Sequence, residues 1–373
     1  MGFRDRSVED LVMAITEAFW RGKRVLVTGH TGFKGGWLAL WLREMGAEVT
    51  GLALQPSTSP NLFEAAGVGE GIRSIIGDIR DLDLVTRVVR EADPQVVFHM
   101  AAQPLVRYSY HHPVETYMTN VMGTVHLLEA VRQHGKVEVF VSITSDKCYE
   151  NKEWPWGYRE NDPMGGHDPY SNSKGCSELV TAAYRNSYFG PGTALPTRIA
   201  SVRAGNVIGG GDWSGDRLVP DAVRAFGAGE VLTIRSPRAV RPWQHVFEPL
   251  SGYLTLAERV WSDAALAEGW NFGPRDADTR TVAEVIDMVQ GHWGAGARWA
   301  DVSDQANLHE AHLLKLDCSK ARAVLGWQPV WSLEQGIEAT VDWYVRHLRG
   351  EDMRAVSLRQ LQAYRKVRGG RID

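Results

Sequence analysis

Short apolar runs alternate with stretches of helical spacing along the first half of this chain. Residues 23–28 are a β-branched run ending before glycine, residues 35–45 carry apolar positions at helical period, and residues 48–54 are apolar again. The opening therefore reads strand, helix, strand. The same alternation predicts strands at 73–76, 96–100, 137–143 and 197–202, with helices at 81–91, 116–134 and 171–187 between them. Strands joined through helices pair in parallel, because a parallel neighbour needs a crossover, and helices on both faces bury the whole sheet. The expectation is an α/β protein built on a doubly wound parallel sheet. Beyond residue 203 the pattern loosens into connections rich in glycine, tryptophan and proline. Helical spacing returns at 281–290 and 332–348, the second opening on Ser332-Leu333-Glu334-Gln335, a capping-box arrangement. This later part reads as a smaller α/β domain lying over the sheet.

Composition narrows the function classes. The chain has 373 residues, 44% hydrophobic and 23% charged, which predicts a globular protein of two domains. A net charge of −4 with mixed signs leaves no footprint for nucleic acid or an anionic membrane, so small-molecule chemistry is expected. Cys148, Cys176 and Cys318 are odd in number and lack zinc-like spacing, which predicts unpaired packing thiols in a reducing compartment. The first twenty residues read as a short amphipathic helix rather than a signal peptide or membrane span, so a cytoplasmic protein is expected. Of the 14 tryptophans, Trp154, Trp156, Trp213 and Trp243 lie in polar loops. Most are expected to serve packing, with one or two lining a site.

Two constellations carry chemistry. The first is Thr28-Gly29-His30-Thr31-Gly32-Phe33-Lys34-Gly35, directly after the first strand. Glycine at 29 permits a tight turn, at 32 lets backbone approach a pyrophosphate, and at 35 lets helix and strand pack closely. The helix N-terminus then offers free amides to the anion. Its place at the first βα turn makes this a dinucleotide cradle. The acid expected at the end of the second strand is missing from Gly51-Leu52-Ala53-Leu54-Gln55, which leaves NAD and NADP unresolved by the residues themselves. Asp78, in Gly77-Asp78-Ile79, is either an acceptor for the adenine amino group or a helix N-cap. The second constellation is Tyr170 and Lys174, one helical turn apart, with Thr144-Ser145-Asp146-Lys147 upstream. A lysine charge on the same face is expected to favour the phenolate, turning a weak acid into a base.

Together, Gly29, Gly32, Phe33, Gly35, Asp78, His99-Met100-Ala101-Ala102-Gln103, Asn120, Ser145 and Tyr170-x-x-x-Lys174 resemble the extended short-chain dehydrogenase/reductase family over nearly the whole chain. Ser145-Asp146-Lys147 stands where its nucleotide-sugar 4,6-dehydratases carry Thr-Asp-Glu. The lysine variant is similar to the members acting on CDP-glucose, as are Gly165-Gly166-His167-Asp168-Pro169-Tyr170, the run from Arg203 to Trp213, and Arg241-Pro242-Trp243-Gln244-His245.

The resemblance implies a Rossmann-type domain over residues 1–200 with a returning segment near 241–265. A substrate domain would take residues 201–240 and 266–373. It implies bound NAD, a homodimer or homotetramer, and C4 oxidation followed by loss of water across C5 and C6. Cofactor contacts would come from Gly29, Thr31, Gly32, Phe33, Gly35, Asp78, Ile79, Ala101, Ala102, Gln103, Asn120, Tyr170 and Lys174. Substrate contacts would come from Arg203, Asn206, Arg235, Arg241 and His245. Ser145 would bond the C4 oxygen, Asp146 would be the acid for the C6 hydroxyl, and Lys147 would be the C5 base or a cation beside the enolate. A 4-epimerase, or a 4,6-dehydratase of another sugar nucleotide, are the alternatives. No metal is expected, and His99 is expected to pack beneath the cofactor.

Overall fold

A computed structural model describes residues 15–190, 192–303 and 313–369. Six strands in chain order, β1 (Arg24–Thr28), β2 (Glu48–Ala53), β3 (Arg73–Ile76), β4 (Val96–His99), β5 (Val139–Ile143) and β6 (Arg198–Ala204), join a returning strand, Gly269–Phe272. The sheet order is returning strand, β6, β5, β4, β1, β2, β3, and every pairing is parallel. Alternation along each strand feeds two cores. Val25 and Val27 enter the larger one with Trp37 and Trp41, while Leu26 points to the other with Val85, Val97 and Leu128. The order reverses between β1 and β4. Thr28 stands level with His99 and with Leu52, so the strand ends are flush where a crevice opens.

The expected returning segment near 241–265 is followed by one more strand of the sheet. The helix Phe247–Ser262 covers β5 and β6 with a buried face of Phe247, Leu250, Leu254, Ala257 and Val260, and the chain then adds the returning strand to the sheet. Phe272 and Trp270 are fully buried there, so the return ends at Phe272. The smaller part pairs Val231–Ile234 with Arg298–Asp301, and Val240–Arg241 with Arg280–Thr281, beside helices Leu218–Gly227, Val282–Trp293 and Leu333–Leu348. Both later helices start with capping boxes, Thr281 with Glu284 and Ser332 with Gln335.

One predicted helix, 116–134, is interrupted. The chain forms Pro113–Tyr117, a π-helical turn at Met118–Met122, and Gly123–His134. Asn120 lies in that wide turn with its amide drawn inward, and Gly123 admits Ile79, whose Cδ1 would lie 2.4 Å from a Cβ there. Trp213 and Trp243 are buried despite their polar surroundings, whereas Trp156 is exposed. The three cysteines are free thiols. The amphipathic helix expected at the start falls mostly outside the described residues, which hold only its last turn, Glu17–Trp20.

Candidate active site

The cradle is a turn in which side chains are excluded by backbone. Gly29 has φ +82°, and a Cβ on it would lie 2.8 Å from the Ala101 nitrogen. A Cβ on Gly35 would lie 2.1 Å from the Gly29 carbonyl. The helix Phe33–Glu44 has Gly32 as N-cap and no side chain closing it, so its first-turn amides face the crevice unpaired. Thr28 holds the opposite wall: its hydroxyl accepts from the nitrogens of Met100 and Ala101 at 3.1 Å each and donates to His99 Nδ1 at 2.8 Å. His99 Nε2 donates to Thr124, whose own hydroxyl donates to the Asn120 carbonyl. Burial, then the Lys174 charge, press the His99 pKa down to about 3, so the ring is neutral.

Several residues expected as cofactor ligands turn out to brace the walls. Thr31 donates its hydroxyl to the Leu54 carbonyl at 2.8 Å. Asn120 accepts from the Gln103 nitrogen at 2.8 Å and donates to the Gln103 carbonyl and to Ser173 Oγ, tying the β4 loop to the helix Pro169–Tyr188. The Gln103 amide donates to Thr116 and accepts from Leu105. Ala102 lies half-buried in the same loop. Asp78 is not the helix cap; Asp81 takes that place by accepting from the Leu84 nitrogen. The Asp78 carboxylate is held by Arg80 at 2.6 Å, and although burial pushes its pKa up, the Arg80 bonds and charge bring it below the ordinary value. Ile79 is buried against Gly123, while Phe33 packs on the Gly209 turn.

The reactive groups meet at the end of β5. Asp168 caps the helix Pro169–Tyr188 by accepting from the Ser171 nitrogen, and Pro169 at the first position needs no partner. Tyr170 thus falls in the first turn, its backbone nitrogen donating to Ser109 Oγ. Lys174, one turn on, donates to the Ile143 carbonyl at 3.3 Å. Burial and the Lys34 charge lower the Lys174 pKa to about 8, against a rise from Glu178. Ser145 donates to Asp146 Oδ1 at 3.0 Å and accepts from the Lys147 nitrogen at 3.2 Å, and it lies beside the Tyr170 hydroxyl, whose pKa it lowers. Asp146 is buried, and its Oδ2 has no partner among the described residues. Burial raises its pKa, opposed by Lys147, the Ser145 bond, Arg241 and Lys34. The Gly205 backbone crosses directly above: a Cβ there would lie 3.0 Å from Asp146 Oδ2.

Tyr170 departs from expectation. Burial raises its pKa to about 12, against lowering by Ser145 and then Arg217. Of the five residues expected at the substrate, Arg241 reaches the Asp146 side of the site and Asn206 follows Gly205 at its rim, its carbonyl accepting from the Gln244 nitrogen. Arg235 is half-exposed and pairs with Asp216 at 3.6 Å. Arg203 is corrected: it is buried under the site and donates to Glu178, Tyr149 and the Glu160 carbonyl. His245 is buried with its ring against Phe247 and Trp331, its Nδ1 accepting from the Phe247 nitrogen, and burial drives its pKa to about 3. The Arg203 guanidinium is taken up by the protein itself, whereas His245 Nε2 has no partner among the described residues.

Two residues were missed. Lys34 projects from the cradle, and burial with the Arg217 charge lowers its pKa to about 8, while Asp146 raises it. A basic residue in a helix's first turn opposes the macrodipole, and that was the signal available. Arg217 pairs with Asp212 at 2.8 Å and acts on both Tyr170 and Lys34. No local pattern marked it. Among the described residues no cluster of potential ligands could hold a metal ion.

Comparison with known proteins agrees with this geometry. The chain is 56% identical over 353 residues to CDP-glucose 4,6-dehydratase of Salmonella typhimurium, covering 94% of this chain and 98% of that protein. It is 28% identical to a dTDP-glucose 4,6-dehydratase of Xanthomonas campestris, over 86% of this chain and 92% of the relative. The solved structure of DesIV, a dTDP-glucose 4,6-dehydratase from Streptomyces venezuelae with NAD bound, superposes with a TM-score of 0.73 at 25% identity, covering 87% of this chain and 98% of that one. A model of the GDP-mannose 4,6 dehydratase family matches residues 26–340, and with the parallel sheet, the glycine cradle and the Ser145–Tyr170 site in place, the chain belongs to that family.

Proposed function

We propose that this chain is an NAD-dependent hydro-lyase converting CDP-glucose to CDP-4-dehydro-6-deoxyglucose. The observation that carries the reading is the buried Asp146 with one oxygen bonded to Ser145 and the other unpartnered. Burial biases this carboxyl toward its protonated form, the form that elimination of the C6 hydroxyl requires and C4 epimerisation does not. The cradle suits a pyrophosphate, because the Gly29 and Gly35 positions admit no side chain and the first-turn amides are unpaired. NAD, when bound, supplies a hydride acceptor for C4 and the hydride that returns to C6. CDP as the nucleotide rests on the 56% identical relative.

The chain's own groups do the proton chemistry. Ser145 positions the C4 oxygen beside Tyr170, which accepts its proton. For that, Tyr170 must first lose its own proton, so kcat is expected to rise with pH. Once C4 is a ketone the C5 hydrogen is acidic. Lys147, half-buried on the turn after Asp146, either removes it as a neutral amine or stays charged beside the enolate. Beyond the limb due to Tyr170, a second rising ionisation in kcat that disappears in Lys147→Met assigns the base; a profile of unchanged shape in Lys147→Met assigns the cation. Asp146 Oδ2 then protonates the C6 hydroxyl as it leaves. Arg241, with Asn206 and Arg235 nearer the rim, binds the diphosphate.

The assembly is a homodimer or homotetramer working in the cytoplasm. Val114, Met118 and Met122, four residues apart, are exposed on the helices before Gly123–His134, as is Leu179 on the helix bearing Tyr170. Such a face suits a two-fold helical bundle. No described helix is long and apolar enough to cross a membrane. Leu179→Glu is expected to shift sedimentation to the monomer.

The function is tested with CDP-glucose carrying deuterium at C4. Deuterium in the new C6 methyl group, read by NMR, is expected; label retained at C4, or a CDP-galactose product, refutes the dehydratase reading.

A further inference from the structure

Tyr170, Lys174 and Glu178 follow one another at four-residue intervals on the same face of the helix Pro169–Tyr188, and Glu178 has no part in the reaction as described. Glu178 is buried, with four hydrogen bonds. Its Oε1 accepts from Thr144 Oγ1 at 2.5 Å and Arg203 Nε at 3.0 Å, and its Oε2 accepts from Ser201 Oγ at 2.6 Å and Arg203 Nη2 at 2.9 Å. Arg203 reaches on to the Tyr149 hydroxyl at 2.6 Å, which donates to Asn271 Oδ1 at 2.7 Å on the returning strand. One carboxylate therefore joins the reactive helix to β6 and to Thr144, the residue before Ser145. Lys174 grips the same strand end one residue earlier, at the Ile143 carbonyl.

We propose that Glu178 is a positioning residue for the dehydration, acting through Lys174 and Thr144: it holds Lys174 as a cation and locks the strand end presenting Ser145 and Asp146. This rests on the function proposed above. The groups around Lys174 are Lys34 from the cradle helix, neutral His99 from β4, the Cys148 thiol from the turn after β5, and Glu178 on its own helix. Burial and Lys34 favour the neutral amine. Burial also raises the Cys148 thiol well above its usual range, so it carries no charge, and Glu178 is the fixed anion opposing them. Its own pKa is pushed up by burial but brought below the ordinary value by Arg203, Ser201 and Thr144, so the carboxylate stays ionised. The Arg203 pairing thus keeps the negative charge in place for Lys174.

The test is the rate at which acetic anhydride modifies Lys174, read by peptide mass spectrometry across pH in the free protein, with no substrate needed. In Glu178→Gln the midpoint for Lys174 is expected to fall by at least about half a pH unit, because the anion is gone. The midpoint for Lys34, which feels Glu178 only through Lys174, is expected to stay or rise slightly and not to fall with it. Turnover of CDP-glucose is expected to lose about 10-fold or more in kcat with little change in KM, and Glu178→Asp to restore part of it. A merely structural role predicts the opposite displacement, since loosening exposes Lys174 and moves it up toward a free lysine. An unmoved or raised midpoint overturns the proposal. Should Glu178→Gln fail to fold, Glu178→Gln with Arg203→Met leaves no unpaired buried charge and is expected to show a smaller fall in the same direction. Wild-type turnover, measured separately, tests the function itself.

Discussion

Glu248 offers the most quantitative test of how this chain is held together. It sits fully buried at the start of the helix Phe247–Ser262, and its carboxylate accepts from the nitrogens of Val330 and Trp331 and from the Tyr364 hydroxyl. It thereby ties the last helix, Met353–Gly369, to the sheet-covering layer. Burial raises its pKa to about 7, against lowering by those donors and Arg368. Because the native carboxyl keeps its proton to higher pH than the unfolded one, its favourable contribution is complete below about pH 4.5 and lost as pH rises through about 7. Gln is the shape of the protonated acid: one oxygen still accepts the two backbone bonds, and its amide can donate to Tyr364. Relative to wild type, Glu248→Gln should gain roughly 2–3 kcal/mol of stability between pH 5 and pH 8, at 1.36 kcal/mol per pKa unit. Urea unfolding followed by far-UV circular dichroism at both pH values measures this. A difference between the two proteins that is the same at pH 5 and pH 8 refutes the assignment of a buried, proton-holding carboxyl.

Asp146→Asn removes the proton donor while keeping the Ser145 bond, and is expected to lower kcat by about 10²–10⁴-fold; exchange of the C5 hydrogen with deuterated water, read by NMR, should survive if the acid acts only at C6. Lys34→Met removes a cation that lowers Lys174, so the Lys174 modification midpoint should rise above about 8, and kcat/KM should fall about 10-fold or more if Lys34 contributes charge at the site. Gly35→Ala places a methyl group where 2.1 Å separates it from the Gly29 carbonyl, and is expected to cost about 1–3 kcal/mol and weaken NAD binding measured by calorimetry. Gly36→Ala, which meets only the movable Leu62 side chain at 3.0 Å, should be much milder.

Local pattern was enough for the frame. β3 occupies residues 73–76 as its apolar run predicts, and Ser332 and Thr281 start helices because a cap needs only neighbours three residues away. The glycines of the cradle are legible for the same reason: a turn between strand and helix is a local event, and the clash at Gly35 is with a carbonyl six residues back. The interrupted helix at Met118–Met122 was hidden, since what opens it is Asn120 reaching Gln103 and Ser173, partners 17 and 53 residues distant. Arginine makes the point most sharply. Arg203 and Arg241 stand in similar motif-rich runs, yet one is neutralised by Glu178 beneath the sheet's end and the other approaches Asp146. Charge and residue type are written along the chain, but which charges meet is set by strand order and by a helix that brings residues 170, 174 and 178 against residues 143–145 and 201–203. Burial then decides the protonation that the chemistry uses. Desolvation raises Asp146 and Tyr170 and lowers Lys34 and Lys174, and it depends on how many layers of protein lie above a group, a quantity that exists only after the chain has folded.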